Sequence, residues 1–363
     1  MRICLIGKNL TNIVLARILA NKKLTVDIIY NLENKKNFNS RTMGISKSNF
    51  DFLLNYEKKI KVFSWPVKKI RIFNEKQKSK ELFEFFDENK ENFFLVKYNK
   101  IYDHFERSLN NFNNINLKKI SKKINEKYLF EDDKYNLIIN SDANSYITKQ
   151  YFNKKIEKNY YSSAYTCIIN HQKVINDIAI QIFTKYGPIA FLPLSNNKTS
   201  IVFSFLNKYE KDNKEIINLI NKFNIKYKIT SFGNLEKSNI KFSMLRNYCY
   251  KNILSFGDLI HRIHPLVGQG FNMTIRDIKI LSFLIDERIK LGLELDSSIL
   301  YDFQNKTKHL NYIFGSSVNL IHDFFKLDNK FNNSLSTSIF AILRKNKFLN
   351  KYANYFADNG IKI

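Results

Sequence analysis

Three of the chain's ten glycines, Gly257, Gly268 and Gly270, fall with Pro265, one of four prolines, inside the single segment FGDLIHRIHPLVGQGFNMTIRDIKIL at 256–281. An aliphatic run, ILSF at 253–256, leads into the segment, and a helical pattern with Ile275, Ile278, Leu281 and Ile285 on one face leads out of it. A loop between a strand and a helix can aim backbone N–H groups and a helix N-terminus at an anion. Glycines at 268 and 270 would let the backbone approach a flat ring closely. His261 and His264 have the i, i+3 spacing of metal ligands, but the adjacent Pro265 and the lack of a third clustered His or carboxylate argue against a metal site. That leaves them as structural or pocket-lining residues.

Three more residues sit where a strand ends or a turn begins: Gly7 after ICLI, Arg41 in SRTMGIS (40–46) and Asp142 in INSDANS (139–145). Each has a plain alternative, as a turn glycine, a surface arginine and a helix-capping aspartate. The elements that must position them are short apolar runs ending in polar turns, ICLI (3–6), VDIIY (26–30), NLIIN (136–140) and ILSF (253–256), which read as buried parallel strands. Ile13, Val14, Leu15, Ile18 and Leu19 between the first two make a βαβ opening. The stretches 62–73 and 156–206 are strand-rich with no long helical pattern, and predict an inserted, mostly antiparallel sheet. From about 290 onward the pattern is helical.

The chain has 363 residues, 44% of them hydrophobic, and a net charge of +26, so it is a folded protein rather than a disordered tail. No stretch approaches the ~20 apolar residues of a membrane span, and Lys8 and Arg17 interrupt the N-terminal apolar region, which predicts a cytoplasmic protein. Cys4, Cys167 and Cys249 are far apart, which excludes a disulfide framework and a zinc site built on cysteine. The basic residues are spread along the whole chain without a nucleic-acid motif, so no nucleic-acid partner is predicted. The same charge favours anionic membrane surfaces.

The 256–281 segment resembles the GDAxHxxHPxxGQGxN motif of the FAD-dependent aromatic hydroxylases, particularly the ubiquinone-biosynthesis flavin hydroxylases. The N-terminal βαβ unit, SRTMGIS, INSDANS and YGPIAFLPLSNNKTSIVFS (186–204) are similar to further family segments in the same order. The resemblance implies a Rossmann-like FAD-binding domain from 1–61, 89–155 and 251–290, a substrate-binding sheet domain from 62–88 and 156–250, and a helical region from 291–363. It implies cofactor contacts at Gly7, Arg41, Asp142, Gly257, Asp258, Pro265, Gly268, Gln269, Gly270 and Asn272. No catalytic side chain is identified; His264, Pro265, Gly268 and Gly270 are the flavin-loop candidates.

The implied reaction is hydroxylation of a polyprenylated phenol in ubiquinone biosynthesis, with NAD(P)H as co-substrate and O₂ activated as a flavin hydroperoxide. A ubiquinone-biosynthesis complex and the inner face of an anionic membrane, held by Arg344, Lys345, Lys347 and Lys351, are the implied partners. The chain departs from the family's GxGxxG, reading Gly7, Asn9, Asn12, and carries Tyr30 and Asn31 where an acidic residue is expected, with Glu33 displaced and Ala143 in place of a glycine. Losing a charge-assisted bond to ribose costs about 1.5–3 kcal/mol. Asn9 is expected to put a side chain where the backbone should approach the pyrophosphate. Two other readings stay open: a non-catalytic flavin-fold scaffold in the same pathway, and a polyprenyl reductase or epoxidase of the same superfamily.

Overall fold

The computed structural model describes residues 1–31, 40–75, 81–85, 91–120, 134–209, 211–265, 268–328, 338–339 and 346–361. Its first sheet contains β1 (Arg2–Ile6), β2 (Thr25–Tyr30), β8 (Ile115–Lys119), β9 (Leu137–Asn140), β16 (Cys249–Tyr250) and β17 (Ile253–Ser255). The spatial order is β16-β17-β9-β1-β2-β8, parallel except for β16. Ile3, Cys4, Leu5 and Leu137–Ile139 are fully buried, as unbroken apolar runs must be in a sheet covered on both faces. Helix α1 (Leu10–Ala20) buries every residue except Arg17 and packs against α3 (Tyr98–Leu109) and the long α6 (Gln269–Lys290). The chain leaves β1 for β2 on one side and later returns to β9 on the other. The crevice between the carboxyl ends of β1 and β9 is therefore a topological switch point, where doubly wound folds bind ligands.

The second sheet runs β18-β15-β10-β13-β12-β11-β5-β6, with β14 (Ile229–Phe232) paired to β10. Its strands are β5 (Lys69–Asn74), β6 (Phe83–Phe85), β10 (Lys155–His171), β11 (Ile178–Thr184), β12 (Gly187–Ser195), β13 (Lys198–Leu206), β15 (Glu236–Leu245) and β18 (His261–Arg262). All pairings are antiparallel except β11 with β5. One face packs Phe191, Phe203 and Phe205 under Ile216, Ile220 and Phe223 of α5 (Asn213–Phe223), whose N-terminus is closed by a capping box of Asp212 and Glu215. The other face packs Tyr160, Phe183, Phe242 and Met244 against α7 (Ser298–Asp328), with Phe356 of α8 (Lys347–Asn359) at the margin.

A third, antiparallel sheet joins β3 (Thr42–Ser46), β7 (Phe93–Lys97) and β4 (Trp65–Val67), next to α2 (Lys47–Leu54). The remaining helix is the short α4 (Tyr146–Tyr151). The 62–73 stretch, expected to enter the substrate sheet whole, is divided. Residues Lys58–Phe63 form a 3₁₀ helix, β4 joins the small sheet, and only β5 joins the large one. Pro66, which has no N–H to donate, lies in β4, the edge strand of its sheet, where that is tolerated. The 256–281 segment leaves the parallel sheet at β17, adds β18 to the large sheet and then enters α6. The segment thereby links the two sheets before it enters α6.

Candidate cofactor site

The turn after β1 depends on Gly7. Its φ is +101°, its N–H donates to the Ile29 carbonyl at 2.8 Å, and a Cβ there would lie 3.0 Å from the Asp142 Cβ. Gly7 and Asp142, 135 residues apart, are thus in contact across the switch point. Asp142 sits in an Asx turn, its Oδ1 accepting from the Asn144 N–H at 2.8 Å.

The two asparagines in place of glycines are built into this turn. Asn9 is the N-cap of α1, accepting from the Asn12 N–H at 3.1 Å, while its Nδ2 donates to the Ser141 carbonyl at 3.1 Å and hydroxyl at 2.8 Å. Asn12 is fully buried and donates to the carbonyls of Ile6 (2.9 Å) and Gly7 (2.8 Å). Asn9 cross-links the two crevice loops, because a carboxamide can cap a helix and donate at the same time. At the end of β2, the Lys8 ammonium lies 4.8 Å from the Tyr30 ring centroid and pairs with Glu106. Glu33 lies outside the described residues.

The Gly257–Leu259 turn follows β17 at the same edge of the sheet. Gly257 has φ +63°, and a Cβ on it would come within 2.9 Å of Thr11 Cγ2 in the first turn of α1. Asp258 is exposed. Tyr98 feels the charges of both Asp258 and Arg41. Burial raises the Tyr98 pKa, the Arg41 charge lowers it, a hydrogen bond from Leu10 at the start of α1 lowers it, and Asp258 raises it. The Arg41 guanidinium lies 5.0 Å from the Tyr98 ring centroid. Arg41 and the N-terminus of α1 therefore meet at one tyrosine that sequence reasoning did not single out and that also feels the Asp258 charge.

At the other end, Gly268 caps α6 in the left-handed conformation, with φ +67°, and a Cβ there would stand 3.0 Å from the Gly44 nitrogen. Asn272 is fully buried, its Nδ2 donating to the Gly44 carbonyl (2.9 Å) and its Oδ1 accepting from the Ser46 N–H (3.0 Å) and Asn49 Nδ2 (3.1 Å). Its carboxamide ties β3, the strand that follows Arg41, to the start of α6. Gln269 is buried and donates to the Ala357 carbonyl at 3.4 Å, close to where Asp358 accepts from the Ser48 N–H at 2.9 Å. Pro265 is half-buried, and Leu266 and Val267 lie outside the described residues. Among the described residues a Cβ at Gly270 would meet nothing within 4 Å.

This arrangement fits a flavin dinucleotide: two helix N-termini and a glycine turn for a diphosphate, exposed Arg41 and Asp258 for polar groups, and open space beside Gly270 for a flat ring. The two histidines diverge. His261 Nε2 pairs with Asp277 Oδ2 at 2.7 Å, with Asn311 donating to Asp277 Oδ1 at 3.0 Å, whereas His264 faces Tyr160 and His322. Among the described residues no three His, Cys, Asp or Glu side chains could hold a metal ion.

No family model matches the chain. Among solved structures, it superposes on p-nitrophenol 4-monooxygenase of Pseudomonas putida DLL-E4 with a TM-score of 0.79 over 99% of this chain and 98% of the other, at 10% identity. It superposes on 2-methyl-3-hydroxypyridine-5-carboxylic acid oxygenase with a TM-score of 0.70, covering 93% and 92%, at 12% identity. The fold is that of the FAD-dependent aromatic hydroxylases.

In sequence the chain is similar to the mitochondrial ubiquinone biosynthesis monooxygenases COQ6 of Xenopus tropicalis (24% identity over 242 residues, 55% of this chain and 50% of the relative) and of Homo sapiens (24% over 228 residues, 51% and 49%). The matched region spans about half the length of these relatives. Among the described residues no helix is long and apolar enough to cross a membrane. Of the basic tail, Lys351 is exposed, Arg344 and Lys345 lie outside the described residues, and the outer face of α8 exposes Phe348 (76%), Tyr352 (63%) and Tyr355 (42%).

Proposed function

We propose that the chain is an FAD-dependent monooxygenase that hydroxylates the ring of a polyprenylated phenol in ubiquinone biosynthesis, with NAD(P)H as electron donor. The observation that carries this reading is the convergence of Gly7, Asp142 and Asp258 at one edge of the parallel sheet, with Arg41 and the 268–272 turn tied to it through Tyr98 and Asn272. The likeness to ubiquinone-biosynthesis monooxygenases supports the substrate class.

In this reading Gly7 and the α1 N-terminus take the diphosphate, Arg41, Asp142 and Asp258 take its sugar and ribityl neighbours, and Pro265, Gly268, Gln269 and Gly270 lie along the ring. Gly257 and Asn272 position these groups from behind. Bound FAD supplies the reduction by NAD(P)H and the activation of O₂. The chain's own work is to hold the phenol against the ring and exclude water. The aromatic layer of Tyr160, Phe183, Phe242 and Phe325 between the large sheet and α7 suits that task and an apolar prenyl tail. An anionic membrane surface, met by Lys351 and the aromatic face of α8, and a biosynthetic complex are the partners we propose.

The test is the visible absorption spectrum of the purified chain with and without added FAD, followed by product analysis with a prenylated phenol. An added phenolic oxygen supports the reading; a saturated double bond or an epoxide moves it to the reductase or epoxidase. A folded chain that takes up no FAD is a scaffold.

A further inference from the structure

Helix α2 does not close its own N-terminus. Its N-cap, Ser46, makes no side-chain cap bond among the described residues, and its first turn holds no acidic residue. The cap comes from Asp358, 310 residues away near the end of α8. Asp358 Oδ1 accepts from the Ser48 N–H at 2.9 Å, and the Asp358 carbonyl accepts from the hydroxyls of Ser46 (2.8 Å) and Ser48 (3.2 Å). A carboxylate at this place also meets the positive end of the helix dipole.

The residues around Asp358 hold a second element, the start of α6. The Ala357 carbonyl accepts from Gln269 Nε2 at 3.4 Å. Phe356 stacks on Phe314 with centroids 4.9 Å apart, and the Arg276 guanidinium lies 4.3 Å from the Phe314 centroid. Arg276 in turn donates from Nε to the Asn272 carbonyl at 3.2 Å and from Nη2 to Gln269 Oε1 at 3.5 Å. Gly360 closes α8 in the left-handed conformation, with φ +72°, its N–H donating to the Phe356 carbonyl at 2.9 Å. A Cβ there would collide with the Arg276 guanidinium, so the chain lies against that group as only glycine allows. Burial lowers the Arg276 pKa to about 10, against the pull of Asp277 and Asp358, and the side chain stays charged at neutral pH.

Residues 356–361 therefore grip the end of β3 on one side and the first two turns of α6 on the other. Ser46 is the shared point: its N–H donates to Asn272 Oδ1 at 3.0 Å, and its hydroxyl donates to the Asp358 carbonyl. Between the same two elements Gly268 approaches Gly44, and Asn272 Nδ2 donates to the Gly44 carbonyl at 2.9 Å. Given the proposed function, on which this inference rests, the flavin ring lies along this seam.

We propose that residues 356–361 clamp the cofactor loop, and that Asp358 is a positioning residue that sets β3 against the first turn of α6 for the flavin ring. Asp358 acts through Ser46 and Asn272 rather than by touching the cofactor. Without its carboxylate the Ser48 N–H loses its partner, and the free chain samples arrangements in which Ser46 has left its place. A cofactor that needs the closed arrangement then binds more weakly in proportion to the fraction of chains that hold it.

The test uses the full chain with FAD, read by fluorescence titration, by visible circular dichroism of the bound flavin at saturation, and by thermal unfolding without cofactor. Asp358→Ala is expected to weaken FAD by about 2- to 30-fold, the range of a lost N-cap. The flavin it still binds should show altered visible dichroism and easier quenching by iodide, because the ring is held less closely. Asp358→Asn keeps an oxygen that can accept from the Ser48 N–H, and should restore most of the affinity and the wild-type spectrum. Gly360→Ala lifts the segment off Arg276 and should follow Asp358→Ala; it decides the matter if Asp358→Ala does not fold. Wild-type affinity and spectrum in both Asp358→Ala and Gly360→Ala, even with a lower unfolding temperature, overturns the proposal. A wild-type chain that takes up no FAD removes the cofactor reading itself, and the clamp with it.

Discussion

Gly270→Ala separates what the chain needs from what a ligand needs. In the protein alone the new methyl meets nothing within 4 Å among the described residues, and the backbone there is ordinary first-turn helix, with no positive φ. Replacing glycine by alanine in a helix is favourable by up to about 1 kcal/mol, so the apo chain should unfold at the same or a slightly higher temperature. With a flat ring against the loop, the same methyl overfills the contact at about 1–3 kcal/mol, which is about 5- to 150-fold in affinity. Gly268→Ala is the contrast. Its φ of +67° and the 3.0 Å approach to the Gly44 nitrogen penalise the apo chain itself, by about 1–2 kcal/mol for the left-handed conformation alone. Thermal unfolding without cofactor and fluorescence titration with FAD read the two quantities separately. If Gly270→Ala destabilised the apo chain, or left FAD affinity untouched, the open space beside the loop would not be the ring's place.

Asn272→Ala strips the buried Gly44 carbonyl and Ser46 N–H of their partner; at about 1–3 kcal/mol each, an apo stability loss of about 2–6 kcal/mol and weaker FAD binding are expected, by urea unfolding and titration. Tyr30→Glu restores a carboxylate at the end of β2 beside Lys8 and should tighten FAD by about 10- to 100-fold. FMN, which lacks the adenosine half, should bind as before. Burial raises the Asp27 pKa, but hydrogen bonds from Lys118, Tyr135 and Asn116 outweigh it and leave the net value below the usual 3.8. Its stabilisation is therefore present above that value and lost as pH falls through the lower, folded-state one. Asp27→Asn should lower the urea midpoint at neutral pH and flatten its fall in acid.

The parallel sheet was legible because strands buried on both faces read as unbroken apolar runs, as in ICLI and NLIIN. What spacing could not give were contacts between distant residues. Tyr98 follows an ordinary strand, and only the fold places its ring beside Arg41. His322 is 58 residues from His264, on a helix whose pattern shows only that it is amphipathic. The Asn9–Asn12 pair was within reach, since an asparagine followed three residues later by a helical position has the spacing of an N-cap.

The glycines carry the argument furthest. Six of the ten have positive φ, and a Cβ at Gly44, Gly233 or Gly315 would crowd a described neighbour at 2.1, 3.0 or 3.3 Å. Gly270 has neither reason among the described residues. In a chain with so few glycines, the one that backbone geometry and packing among the described residues leave unexplained stands in the first turn of α6, where a bound ring would supply the missing neighbour.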